Sequence, residues 1–411
     1  VSGVDVRAWL PQPRGAISGA VAATLVRRPR VVHLAPDVED ALAALDDAAG
    51  YVHDEDAQLA LWMLLELHHR GFAGVDDAWE WHPELARIRA VLGRRLEEVV
   101  HAEVATAIDD QVPAMVREPA DTFFALVGDG SGSTLARHVR RRATLEQWRE
   151  LLALKSVYQL KEGDAHSWAI PRAHGAVKVA LTEIQYDEYG SGDPARQHAT
   201  LFAQAMEASG VDATYAAHVD RVPAVVLAVN NFMAVCGLQR RLLGATLGHL
   251  AMYEATSSLP HGMYAAAARR LGLPEEVADY FDEHVTADAI HDQIAVRSMC
   301  APFVDGDADR AEQVLLGALG GAWLDDQMAD VVLAAWAEDR SALLPAPPGH
   351  PRGGTPRLQV CPDGPVLVRG ADEWVGGDGQ VHTLTRPVTA VCRCGGSAQQ
   401  PWCDGTHKVK S

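Results

Sequence analysis

Residues 273–295 read LPEEVADYFDEHVTADAIHDQIA. Leu273-Pro274-Glu275-Glu276 is a helix start, with proline and two acids in the first turn. Val277, Phe281, His284, Asp288, His291 and Ala295 then step by four, three, four, three and four residues, so they share one helix face. Two histidines and an aspartate therefore lie in the row that Val277, Phe281 and Ala295 direct towards a core. Burying three such groups is costly unless something binds them.

Two earlier segments repeat the arrangement. Leu243, Leu247, Leu250 and Glu254 form an apolar stripe that ends in a carboxylate. Val177, Leu181, Ile184 and Glu188 do the same just before the turn at Gly190-Ser191-Gly192-Asp193-Pro194, and the next helix opens with His198, followed on its face by Phe202 and Ala205. The set Glu188, His198, Glu254, His284, Asp288 and His291 brings three carboxylates and three imidazoles from four helices. Such a shell suits one or two non-haem irons, or iron with manganese: carboxylates bridge and shift between ions, while imidazoles hold fixed positions. A single buried histidine is as readily a hydrogen-bonded core residue, and an aspartate beside it a salt-bridge partner; the metal reading rests on the six together.

These residues resemble the haem-oxygenase-like di-iron oxidases. In that family a carboxylate on one core helix is followed by a histidine on the next, then a glutamate, then His-x3-Asp-x2-His. His284-Val285-Thr286-Ala287-Asp288-Ala289-Ile290-His291 fits the last signature, and Glu188-Tyr189-Gly190 followed by His198-Ala199-Thr200-Leu201-Phe202 fits the earlier part. The resemblance runs from about Leu145 to Trp336 and implies O2 activation at a labile di-iron centre within a haem-oxygenase-like helical bundle. Family members often add one further carboxylate, for which Glu162 and Glu183 are both open; Glu183 pairs with Asp187 at i,i+4 rather than lying on the Glu188 stripe.

Helical periodicity fills most of Ala16–Leu344 and then stops. Leu344-Pro345-Ala346-Pro347-Pro348-Gly349-His350-Pro351-Arg352-Gly353-Gly354-Thr355-Pro356 cannot pack as helix or central strand and reads as a linker. Short β-like pieces follow at Leu358–Val360, Pro365–Arg369, Val381–Thr385 and Val388–Val391, with turns at Asp363-Gly364 and Gly376-Gly377-Asp378-Gly379. Then comes CRCGGSAQQPWCDGTH, residues 392–407. Cys392, Cys394, Cys403 and His407 can close around a soft metal centre. Structural zinc would also accept three thiolates and an imidazole, but its modules usually present Cys-x2-Cys knuckles. Here the pattern is C-x-C, eight residues, then C-x3-H. With Pro401-Trp402-Cys403-Asp404-Gly405-Thr406-His407 it closely resembles the CDGSH iron–sulfur family, Thr406 standing for the usual serine. That resemblance implies a 2Fe–2S cluster whose histidine ligand lies near solvent.

The organisation expected is therefore mainly α: an N-terminal helical extension (1–144), a haem-oxygenase-like di-iron domain (145–344), a Pro/Gly linker (345–356) and a small β-rich CDGSH domain (357–411). In the extension, Tyr51–Arg70 and Pro83–His101 read as helices. Glu66-x-His68 looks ligand-like, yet adjacent His68 and His69 point about 100° apart on a helix and cannot serve one site. His249 and His261 read as structural or solvent-facing, and Trp62, Trp79 and Trp81 as packing.

A formal charge of −19 argues against nucleic acid, and the basic run Arg137–Arg142 reads as a solvated helix face. No stretch approaches the roughly 18 apolar residues of a membrane helix, and Val1–Leu25 lacks the pattern of a secretion signal. A cytoplasmic location is expected. Of six cysteines, three crowd into residues 392–403, while Cys236, Cys300 and Cys361 read as structural.

The leading expectation is an iron-dependent oxidoreductase that activates O2 at a non-haem di-iron site, oxidises a small organic molecule and draws electrons from the fused cluster. An external reductase and a second copy of the chain are its other expected partners. A linker of that composition spans roughly 20 to 40 Å and keeps the donor at high effective concentration. The alternative is a redox or iron sensor, or an electron carrier, whose helical part is a metal-free binding module. Haem in the bundle ranks last, since the extra acids are hostile to it.

Overall fold

The computed structural model describes residues 7–29, 36–45, 49–128, 132–346, 357–361, 364–369, 371, 373–376, 380–384 and 388–408. The linker from 347 to 356, Asp363 and the 377–379 turn lie outside the described residues, as does the side chain of Asp288.

The longer helices are α1 (Glu55–Glu66), α2 (Pro83–Arg117), α3 (Leu145–Gln159), α4 (Gly175–Glu188), α5 (His198–Ala208), α6 (Ala224–Leu238), α7 (Leu243–Arg270), α8 (Glu275–Gln293) and α9 (Ala308–Ala337). Their starts follow local chemistry. Asp54 caps α1 by accepting from the amides of Asp56 and Ala57, and Thr144 and Gln147 form a reciprocal capping box on α3. Pro274 precedes the acidic first turn of α8, as its sequence predicts. The apolar stripes are buried: Val177, Leu181 and Ile184 on α4, Leu247 and Leu250 on α7, Val277 and Phe281 on α8. Past His291 the backbone widens into a π-helix over Ile294–Cys300.

The first block is shorter at one helix and longer at the other than the sequence suggests. Tyr51 lies in a 3-10 turn before α1, whereas α2 continues sixteen residues beyond His101, through Pro113. One hydrophobic core runs from Ala8 to Ala342, so the block is part of the bundle's interior. Helix α2 packs on α9, and α1 on α6. Buried Glu66 accepts hydrogen bonds from Lys161 Nζ (3.0 Å) and the Tyr215 hydroxyl (2.8 Å), tying α1 to the residues after α3. Trp62 and Trp79 are buried, but Trp81 is 69% exposed and lies against His68.

Helices α7 and α9 run side by side in the same direction. Gly248 faces the backbone of Val314, and Gly317 faces the backbone of Ala245; a Cβ on either glycine would run into the carbonyl of the other helix. Gly317→Ala should therefore lower stability by about 1–3 kcal/mol or more, read as a lower urea midpoint at unchanged slope. An unchanged midpoint would mean that the helices can part freely.

The C-terminal part forms a three-stranded antiparallel sheet, β1 (Arg357–Val360), β2 (Val366–Arg369) and β5 (Val388–Val391), in the order β1-β2-β5, with a separate hairpin of β3 (Glu373–Val375) and β4 (Val381–Thr383). Strand β3 is missing from the sequence reading, where Asp372-Glu373 puts two acids at its start; its partner β4 falls within the piece read at Val381–Thr385. Val368, Leu384 and Val391 make a small core of their own, packed by Trp374 and Trp402. Among the described residues no helix is long and apolar enough to cross a membrane.

Candidate metal centre

Five of the six helical candidates converge, and Glu162, a third carboxylate, joins them as the sixth residue. Glu162, His198 and His284 place one ligand atom each within 4.8 Å of one another, and so do Glu188, Glu254 and His291. All six residues are buried. The two triads meet where His198 Nδ1 lies 2.9 Å from Glu188 Oε2. Glu162 sits in the turn that closes α3 and directs Oε1 to 3.7 Å from His284 Nε2. Glu183, the other carboxylate left open, is exposed on α4.

The imidazoles are held from behind. His284 Nδ1 donates to the Tyr280 carbonyl (2.9 Å), which leaves Nε2 facing Glu162. His291 Nε2 donates to Asp187 Oδ2 (3.0 Å), which leaves Nδ1 facing Glu254 at 3.3 Å. A ring fixed this way presents its other nitrogen as a lone pair, the arrangement that supports metal-ligating histidines. The Tyr280 hydroxyl also donates to Glu162 Oε2 (3.2 Å).

The site is electrostatically coherent. Burial alone would lower the pKa of His291, but Glu254, Glu188 and Asp187 outweigh it and lift the group to about 9. For His198, burial is likewise outweighed, by Glu188 and Glu162, and its pKa rises. Glu162 moves the opposite way: burial raises it, and His284, His198 and His261 together bring it down. Protons thus do the work of counter-charge in the protein alone. Yet Glu188 Oε2, His198 Nδ1 and His291 Nδ1 are buried atoms that form no aligned hydrogen bond, although oppositely charged groups stand beside them. Buried ligand atoms without an aligned hydrogen bond, grouped as two His/carboxylate triads, suit a cation better than a hydrogen-bond network.

At the other end of the chain, Cys392 Sγ and Cys394 Sγ lie 3.7 Å apart, and Cys403 Sγ lies 3.3 Å from His407 Nδ1. Cys392 and Cys403 are brought together by main-chain bonds, Cys392 N to the Pro401 carbonyl and Cys403 N to the Ala390 carbonyl, each 2.8 Å. Backbone amides of Ser397, Gly395 and Cys394 surround the Cys392 sulfur and lower its pKa, led by that of Ser397. A nest of this kind favours a thiolate. Gly405, at φ +88°, makes the turn that returns His407. Asp404 pins that turn through the Thr406 hydroxyl (2.6 Å), the Ala398 amide (2.9 Å) and the Thr406 amide (3.0 Å), which hold its carboxyl well below the usual range. Cys236 and Cys300 are buried far from this chemistry, and burial pushes both thiols up.

Residues 149–326 match the family model described as iron-containing redox enzyme. The chain carries a haem-oxygenase-like iron-containing redox enzyme domain. Residues 363–408 match the model described as iron-binding zinc finger of CDGSH type, so a CDGSH domain follows it. Together the two domains make this an iron-dependent redox protein. No curated protein matches the sequence.

Within the redox enzyme domain a cavity of about 500 Å³ reaches Glu162, Glu188, Glu254 and His284. It also reaches His261, which is buried and stacks on His284 with ring centroids 4.4 Å apart, so the solvent-facing reading of His261 does not hold. The sequence did carry a signal: His261 lies seven residues after Glu254, on the same face. His249 is buried as well, with Nδ1 3.2 Å from His166 Nε2. Glu66 and His68 belong to neither triad; Glu66 holds Lys161 and Tyr215, and His68 lies 3.0 Å from Glu80.

Proposed function

We propose that this chain is a non-haem di-iron oxidase of small organic molecules. Glu162, His198 and His284 would hold one iron and Glu188, Glu254 and His291 the other, with Asp288 a further ligand by its spacing. In the CDGSH domain Cys392, Cys394, Cys403 and His407 would hold a 2Fe–2S cluster that feeds electrons to the site. The observation that carries the reading is the pair of buried His/carboxylate triads joined by the 2.9 Å contact of Glu188 with His198. Two ferrous ions bound there would pass electrons to O2, and so oxidise a substrate.

The protein's own residues do the rest. Tyr280 and Asp187 orient His284 and His291, so that neither imidazole turns away when a proton leaves. Glu188, in contact with His198 of the other triad, would be the carboxylate shared by the two sets. Leu250, Met252 and the rings of Tyr158 and Tyr253 line the cavity that reaches the carboxylates. The match of residues 149–326 to the iron-containing redox enzyme model supports the choice of metal.

Iron, zinc and acid-labile sulfide counted on anaerobically purified full-length protein test the reading. About four irons to two sulfides is the expected ratio, two irons being free of sulfide. A ratio near one, unchanged after ferrous ion is supplied, would reduce the triads to a buried polar network and favour the electron-carrier or sensor role.

A further inference from the structure

The cavity that reaches the triads has a second chemical end. Lys155, four residues before Gln159 on α3, is the one lysine or arginine among its described lining residues. Its ammonium makes no ion pair or hydrogen bond among the described residues; its contact is the Tyr264 ring, with Nζ 5.4 Å from the centroid. Asp325, on α9, lines the same cavity, has no salt bridge among the described residues and accepts a hydrogen bond from Tyr253. Tyr253 lines the same cavity, bonds to Asp325 and lies within the electrostatic reach of Glu162, and its ring lies 5.8 Å from that of Tyr158.

Neither charge is at ease. Burial lowers the pKa of Lys155 against the pull of Asp325 and Glu162. Burial raises Asp325 to about 7, with Lys155 opposing and Asp326 adding to the shift. A cation and an anion that line one cavity without an ion pair between them among the described residues leave room for a ligand charge on each. One small ligand with both charges on adjacent carbons supplies both.

Resting on the reading of the triads as the reacting centre, we propose that the substrate is an amino acid, its carboxylate on Lys155 and its ammonium on Asp325, with the side chain extending past Tyr253 and Tyr158 to the triads. Leu154, Leu250 and Met252 give that side chain an apolar path, which selects a hydrocarbon or aromatic chain over a charged one. The charged end sets the register, and the bonds that reach Glu162 and Glu188 are those of the side chain.

The test is binding to the iron-loaded full-length chain, by calorimetry or equilibrium dialysis without O2. The probes are norleucine and phenylalanine, each beside its deamino and decarboxy analogue: hexanoate and pentylamine for norleucine, phenylpropanoate and phenethylamine for phenylalanine. At least one amino acid should bind about tenfold or more tighter than both its analogues. Lys155→Met should reduce that amino acid to the affinity of its amine, Lys155→Arg should keep the preference, and Asp325→Asn should reduce it to the affinity of its acid. If neither amino acid outbinds its analogues on the unaltered protein, or if folded Lys155→Met keeps the preference, the assignment is overturned. Iron and sulfide counted in the same samples separate the two ideas. Protein that shows the preference but holds no sulfide-free iron keeps this inference and loses the di-iron reading, and the reverse loses this inference alone.

Discussion

His284→Ala should remove at least one of about two sulfide-free irons and cut O2-dependent turnover by more than about 100-fold, while the visible spectrum of the cluster stays as it was. His284 is the hinge of its triad. It faces Glu162 at 3.7 Å, stacks on His198 with centroids 4.4 Å apart, and is held by the Tyr280 carbonyl. Alanine leaves Glu162 and His198 in place with a gap that a water can fill but no side chain can close. Iron content measured together with O2 uptake checks this, and a variant that keeps both its iron and its turnover would remove His284 from the metal site.

Cys394→Ser should have the complementary effect. About two irons and two sulfides are lost, the sulfide-free iron stays, and turnover fed by an enzymatic reductase collapses. A single turnover started from chemically reduced protein should survive, because the triads are untouched. Cys394 Sγ lies 3.7 Å from Cys392 Sγ and accepts from the Gly396 amide at 3.4 Å, so a shorter, harder hydroxyl there disrupts both the ligand set and its amide support. Undiminished steady-state turnover in a cluster-free protein would mean that electrons reach the helical site by another route.

Much of both sites was legible because periodicity is a local property. His284 and His291 share a face with Val277 and Phe281, Glu188 ends the stripe of Val177, and Glu254 ends that of Leu247; the burial of those apolar neighbours carries the polar residues inwards. The choice between Glu162 and Glu183 was not legible. Glu183 lies on a helix and could be placed by counting, but Glu162 falls in a turn, where the period of α3 no longer applies and Gly163 at φ +82° sets the direction of the chain. His261 reads from sequence as structural or solvent-facing; it shares the Glu254 face because α7 runs unbroken through Pro260. Lys155 and Asp325 could not be paired from sequence, since only the packing of α3 and α9 around one cavity relates them. In the small domain the thiolate spacing was sufficient, while the strand Glu373–Val375, which opens on Glu373 after Asp372, carries no apolar alternation to read.

The close crossing of α7 and α9 has a consequence for selectivity. Backbone meets backbone at Gly248 and Gly317, and further along Gly321 lies against Met252 and His249, so the two helices cannot slide without breaking this fit. Glu254 is six residues past Gly248 on one, and Asp325 eight residues past Gly317 on the other. The span between the metal-facing end and the charged end is thus set by main chain, which yields far less than side chains do. With the proposed ligand such a pocket would act as a gauge of length: homologues one methylene too long or too short would be misplaced at the triads, whereas changes in girth would fall on the side chains of Met252 and Leu250.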